Sequence, residues 1–184
     1  MNLSKEQSQK LALLVIGHGM LVLLIGLVAG LMLVFSLLDA VTIWPLPVWD
    51  VTIPGSTRGW QAAHVGGILN GVMIAGVALL MKRLQISGSR AFWVGWGMII
   101  TGWANTVFYW GGSLSKNRGL SVTETPFGEG DFFGAVAFLF GAPGMIFTFI
   151  AITIMQSLHL KKPKNKIRIF KLFHILGYRQ KPKT

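Results

Sequence analysis

GWQAAHVGGILNGVMIAGVALLM, residues 59–81, has no charged side chain over a length that spans a bilayer, yet it holds His64, the pair Gly66 and Gly67, and Asn70. A helix rises about 1.5 Å per residue, so about 20 apolar residues cross roughly 30 Å of hydrocarbon. Histidine and asparagine are costly in that medium and turn toward protein or a cavity, which makes them a functional-site hypothesis by default.

Three more charge-free runs, 11–38, 91–112 and 132–158, flank this one. With 52% hydrophobic and 12% charged residues and a mean hydropathy of +0.59, the 184-residue chain is too apolar for a soluble domain. The runs neither alternate in polarity nor are short, which excludes a β-barrel. The first run has about twice the apolar core of a signal peptide and no A-x-A cleavage pattern, so a retained helix is expected. The fold expected is all-α, an integral membrane four-helix bundle. Residues 1–160 form its single transmembrane domain and 161–184 a basic cytoplasmic tail.

A net charge of +11 invites a nucleic-acid partner, but the distribution of the cations points to the lipid bilayer and to no nucleic acid. Lys5 and Lys10 precede the first span, Lys82, Arg83 and Arg90 join the second to the third, and nine Lys or Arg follow His159. Only Arg58, Lys116 and Arg118 lie in the other two connections. This bias puts both termini and the middle loop in the cytoplasm. The tail mixes cations with Ile167, Phe170, Phe173 and Leu176. That pattern fits either an interfacial helix on an anionic leaflet or a solvated anchor.

The connection 39–58 contains Trp44, Pro45, Pro47, Trp49 and Pro54, which forbid a regular helix and fit a lid or an aromatic belt. Asp131 is placed to cap the last span, where Gly141, Pro143 and Gly144 predict a kink. Gly26 with Gly30, and Gly67 with Gly71, recur at helical spacing and allow close helix approach.

No cysteine is present, which excludes disulfides and thiolate chemistry. The acids Glu6, Asp39, Asp50, Glu124, Glu129 and Asp131 all fall in tails, loops or helix ends, so no carboxylate nucleophile stands beside His64. A neutral imidazole at His64 can ligate a metal or haem, or bond a neighbouring helix. The missing side chains of Gly66 and Gly67 leave room for a flat macrocycle. Asn105 and Tyr109, four apart, share a helix face near the level of His64 and Asn70. Asn70 and Asn105 must face each other, the site or a subunit interface. His18 enters from the opposite side, about 12 Å from His64 along the membrane normal by helical rise, too far for both to ligate one iron.

At these residues the chain resembles the styrene oxide isomerases, small four-helix membrane proteins that rearrange aryl epoxides to aldehydes. The likeness rests on GHG at 17–19, PGSTRGWQAAHVGGILNG at 54–71, GWANTVFY at 102–109, and NRGL at 117–120 followed by FGEGD at 127–131. The resemblance implies a homotrimer in a bacterial inner (cytoplasmic) membrane with ferric haem b at each subunit interface. His64 would be the axial ligand beside Gly66 and Gly67, and Asn70 and Tyr109 would face the substrate. It implies conversion of an aryl epoxide such as styrene oxide to phenylacetaldehyde.

Physical chemistry agrees with a metal. A million-fold acceleration needs about 8 kcal/mol, whereas a positioned general acid gives roughly 10² to 10⁴ and tyrosine, with pKa about 10, is a weak one. Two other readings stay open at this point. One is a haem-binding membrane protein for electron transfer or sensing; the other is a haem-free transporter or structural bundle.

Overall fold

The computed structural model describes residues 1–159. The basic tail, its expected interfacial helix and His174 lie outside the described residues. Four long helices make up the chain: α1 (Lys5–Leu38), α2 (Thr57–Arg83), α3 (Gly88–Leu114) and α4 (Phe132–His159). Each covers one of the four charge-free runs and extends beyond it at one or both ends. Ser4 starts α1 with a capping box closed by Gln7, and Ser56 starts α2 by accepting from the Gly59 N–H.

Three helices, α1, α2 and α4, are long and apolar enough to cross a membrane. The third expected span, α3, equals α2 in length but does not reach the same hydropathy. Its glycines, Thr101, Asn105 and Tyr109 dilute its aliphatic content. Helix α3 touches α1, α2 and α4, and so turns much of its surface to protein. Val94, Met98 and Thr101 on α3 are fully buried. By contrast α1 and α4 expose Leu24, Leu31, Leu139 and Phe149, side chains suited to lipid.

The bundle is open. Helices α1 and α2 pack most extensively and α3 lies against both, while α4 docks on α3 and keeps its backbone away from α1 and α2. The main core joins Leu11, Val15 and Val22 to Ile74, Met81, Val94 and Met98. A smaller cluster of Ala29, Trp60 and Ala63 closes the other end. The seam between α1 and α2 is glycine against glycine. A Cβ on Gly67 would stand 2.5 Å from the Cα of Gly26, and one on Gly71 would stand 2.8 Å from the Gly19 carbonyl oxygen. Only glycine permits this approach, and it draws His64 against α1.

The connection 39–58 contains a two-residue antiparallel pair, β1 (Ala40–Val41) with β2 (Trp49–Asp50). Trp44 is 91% exposed, so it does not pack over the helices as a lid would. Along α4 the helix continues through Pro143, and the Gly144 carbonyl accepts from Thr148 Oγ1 at 2.8 Å.

Candidate active site

His64, Gly67 and Gly71 lie on the side of α2 turned to α1; Gly66 and Asn70, four residues apart, lie on the side turned to α3. The His64 ring is fixed by Nδ1, 2.9 Å from the Gly26 carbonyl oxygen. Because a carbonyl only accepts, Nδ1 carries the proton, and Nε2 is left as the lone-pair nitrogen. Among the described residues Nε2 has no hydrogen-bond partner, and it is not sealed in the core. Gly30 makes this placement possible, since a Cβ there would lie 2.6 Å from His64 Nδ1.

Gly66 and Gly67 have their open sides filled by protein. The Tyr109 ring lies over Gly66, where a Cβ would be 2.5 Å from Cε2 and Cζ, and the Gly26 backbone occupies the space beside Gly67. Tyr109 is half-buried, and its hydroxyl makes no hydrogen bond among the described residues.

Asn70 is buried with both polar atoms bonded: Nδ2 donates to the Gly66 carbonyl at 2.7 Å, and Oδ1 accepts from Asn105 Nδ2 at 2.9 Å. The two asparagines therefore face each other across α2 and α3. His18 is elsewhere, its Nδ1 accepting from Trp103 Nε1 at 3.0 Å. Gly26, level with His64, is eight residues beyond His18 on α1, roughly 12 Å at helical rise, the separation expected from sequence.

The structure thus brings Asn70, Asn105 and Tyr109 together and turns His64 toward another side of α2. Among the described residues no three His, Asp or Glu side chains cluster as a metal site. What these residues fit is a metal that needs one protein ligand because a macrocycle supplies the others. An imidazole oriented through Nδ1 by a backbone carbonyl, with Nε2 free, has the form of such a ligand.

A residue to which sequence reasoning gave no role organises the connection 115–131. Asn117 is wholly buried; it donates to the Ser121 and Thr123 carbonyls at 2.8 and 3.0 Å and accepts from Ser115 Oγ and the Gly119 N–H. The turn composition N-R-G was its available signal. Asp131 closes this loop onto α4, accepting from the Lys116 and Gly134 N–H groups at 2.7 and 2.6 Å. Partial burial pushes its carboxyl up, but those two backbone donors and Ser115 outweigh it and hold the pKa below the ordinary value of 3.8. Lys116 is raised by its 3.0 Å hydrogen bond and ion pair with Glu129.

The N-terminal end of α2, the C-terminal end of α3 and this loop enclose a half-open cleft of about 580 Å³. Tyr109 and Phe108 line it, together with Arg58, Arg118 and Phe127.

The family model described as styrene oxide isomerase matches residues 11–158. The chain belongs to the styrene oxide isomerase family. A styrene-oxide isomerase from Pseudomonas fluorescens is 37% identical over 133 residues, covering 70% of this chain and 79% of the relative. The matched region takes in all four helices and every residue discussed above except the termini. Among the described residues, His64 Nε2 and the Tyr109 hydroxyl are two polar groups within the helices that have no hydrogen-bond partner.

Proposed function

We propose that this membrane epoxide isomerase converts an aryl epoxide such as styrene oxide to phenylacetaldehyde. In this reading ferric haem b is held on His64 at the interface between protomers of a homotrimer in the bacterial cytoplasmic membrane, with both termini cytoplasmic. The observation that carries it is the state of His64: an imidazole oriented by the Gly26 carbonyl, with Nε2 unpartnered. When bound, ferric haem supplies a Lewis acid for the epoxide oxygen, worth several kcal/mol.

The rest falls to the chain. In the substrate, the benzylic C–O bond breaks and a hydride moves from the terminal carbon to the benzylic carbon, giving the aldehyde without net oxidation or reduction. Tyr109 is held by its ring against Gly66, and its free hydroxyl can donate to the oxygen as charge develops there. Asn70 is held in place by Asn105 and the Gly66 carbonyl, and so fixes the spacing of α2 and α3 beneath Tyr109. Apolar helix faces around the site keep water from trapping the cation as a diol.

The interface placement is supported by the division of α2 between two sides. One chain turns His64 and Tyr109 apart, so a second copy is needed to bring them to one ligand. Copies related by an axis along the membrane normal keep each residue at its own depth, and cyclic symmetry of this kind closes without exposed ends.

The test is the absorption spectrum of the purified protein before and after styrene oxide is added, together with turnover of terminally dideuterated epoxide in ordinary water. A Soret band that shifts with substrate, and an aldehyde retaining both labels at early times, are expected. A protein without a Soret band after haem-sufficient expression sinks the cofactor. Early washout of the migrating label sinks the hydride shift.

A further inference from the structure

The positive-inside bias leaves three cations on the minority side, Arg58, Lys116 and Arg118. They come from two separate connections, yet all three line the same outer cleft. Lys116 is neutralised by Glu129 at 3.0 Å. Arg58 and Arg118 have no carboxylate partner among the described residues. Arg118 lies with its guanidinium 4.3 Å from the centre of the Phe127 ring. Its backbone is left-handed at φ 62°, a conformation uncommon for a residue with a side chain and held here by the neighbouring Asn117 hub. The cleft also receives the N-terminal turn of α2, the positive end of that helix, and its walls include the rings of Phe108, Tyr109 and Phe127. Unpaired guanidiniums above aromatic walls suit a flat aromatic body carrying carboxylates at one edge.

We infer that this cleft holds the propionate edge of the haem, with Arg58 and Arg118 as its carboxylate partners. The inference rests on the haem reading given above and adds to it a second anchor. Arg58 precedes His64 by six residues on α2, roughly 9 Å toward the outer surface at helical rise. A porphyrin with its iron at the level of His64 and its propionate edge turned toward the N-terminal end of α2 would bring those carboxylates to the height of Arg58. His64 and the cleft open on different sides of α2, so the arginines come from the protomer next to the one that supplies His64. Rotation about the membrane normal leaves the height difference unchanged.

The experiment compares binding of haemin and of its dimethyl ester, in which both propionates are neutral, to haem-depleted full-length protein in detergent, read by Soret titration. The wild type is expected to bind haemin more tightly than the ester by about 10-fold to 100-fold, the worth of hydrogen bonds to charged groups. The double variant Arg58→Gln/Arg118→Gln is expected to lose that preference while binding the ester as the wild type does. Unchanged ester binding also shows that the variant is folded. If the double variant keeps the full preference for haemin, the inference is overturned while the haem reading stands. If neither ligand binds the wild type, the haem reading itself fails and the inference with it.

Discussion

His64 Nδ1 lies 2.9 Å from the carbonyl oxygen of Gly26, so one bond both ties α2 to α1 and selects the tautomer that leaves the Nε2 lone pair free. His64→Ala is therefore expected to lose most haem and nearly all isomerase activity. His18→Ala is expected to keep the Soret band, because His18 is engaged with Trp103 about a dozen ångströms away by helical rise. Haem content of the two purified variants is the measurement, and equal loss in both rules out the assignment of His64.

Gly30 supplies the space for that imidazole. In Gly30→Ala the new Cβ would stand 2.6 Å from Nδ1 and 2.8 Å from Cε1, so the ring must turn or α1 must move. Haem affinity should fall, while Gly17→Ala, with nothing within 4 Å of its Cβ, should bind normally. Soret titration of both variants decides; normal binding by Gly30→Ala would show that the ring orientation is unimportant.

Tyr109→Phe keeps the ring over Gly66 and breaks no hydrogen bond of its hydroxyl among the described residues. Stability and haem content should be unchanged while kcat falls, by up to roughly 10² to 10⁴ if the hydroxyl acts as an acid. An unaltered kcat would make Tyr109 a packing residue only.

Asn70→Ala leaves Asn105 Nδ2 without its acceptor and the Gly66 carbonyl without its side-chain donor. A buried donor deprived of its partner costs about 1–3 kcal/mol, although interhelical bonds in membranes average about 0.6. A lower thermal midpoint in detergent is expected, together with reduced turnover. Turnover that falls with no change in midpoint would place Asn70 against the substrate.

Asp131 gives a pH dependence of known sign. Its folded pKa is depressed below 3.8, so its contribution to stability is complete above the unfolded value and is lost as pH falls through the folded one. The stability difference between wild type and Asp131→Asn should be constant near neutrality and shrink only below about pH 4, near the ordinary aspartate value. Thermal unfolding of both proteins across pH 3 to 7 tests this; a difference that shrinks near pH 6 would implicate another group.

The sequence alone determined the number and order of helices, because charge-free runs of this length admit little else once backbone groups must bond internally. It also singled out His64, Asn70 and Tyr109, since polar groups inside such runs are too costly to be incidental. The glycine seam was legible as spacing along each helix, but which helix it met was not. Tertiary structure decided that Gly67 meets Gly26, and with it that His64 turns to α1 while Asn70 turns to α3. It also decided that, among the helices, α4 packs its backbone against α3 only, and that Arg58 and Arg118, sixty residues apart, share one cleft. Periodicity fixes which residues share a face of one helix; which neighbour that face meets depends on packing between segments distant in the chain, and no local pattern encodes it.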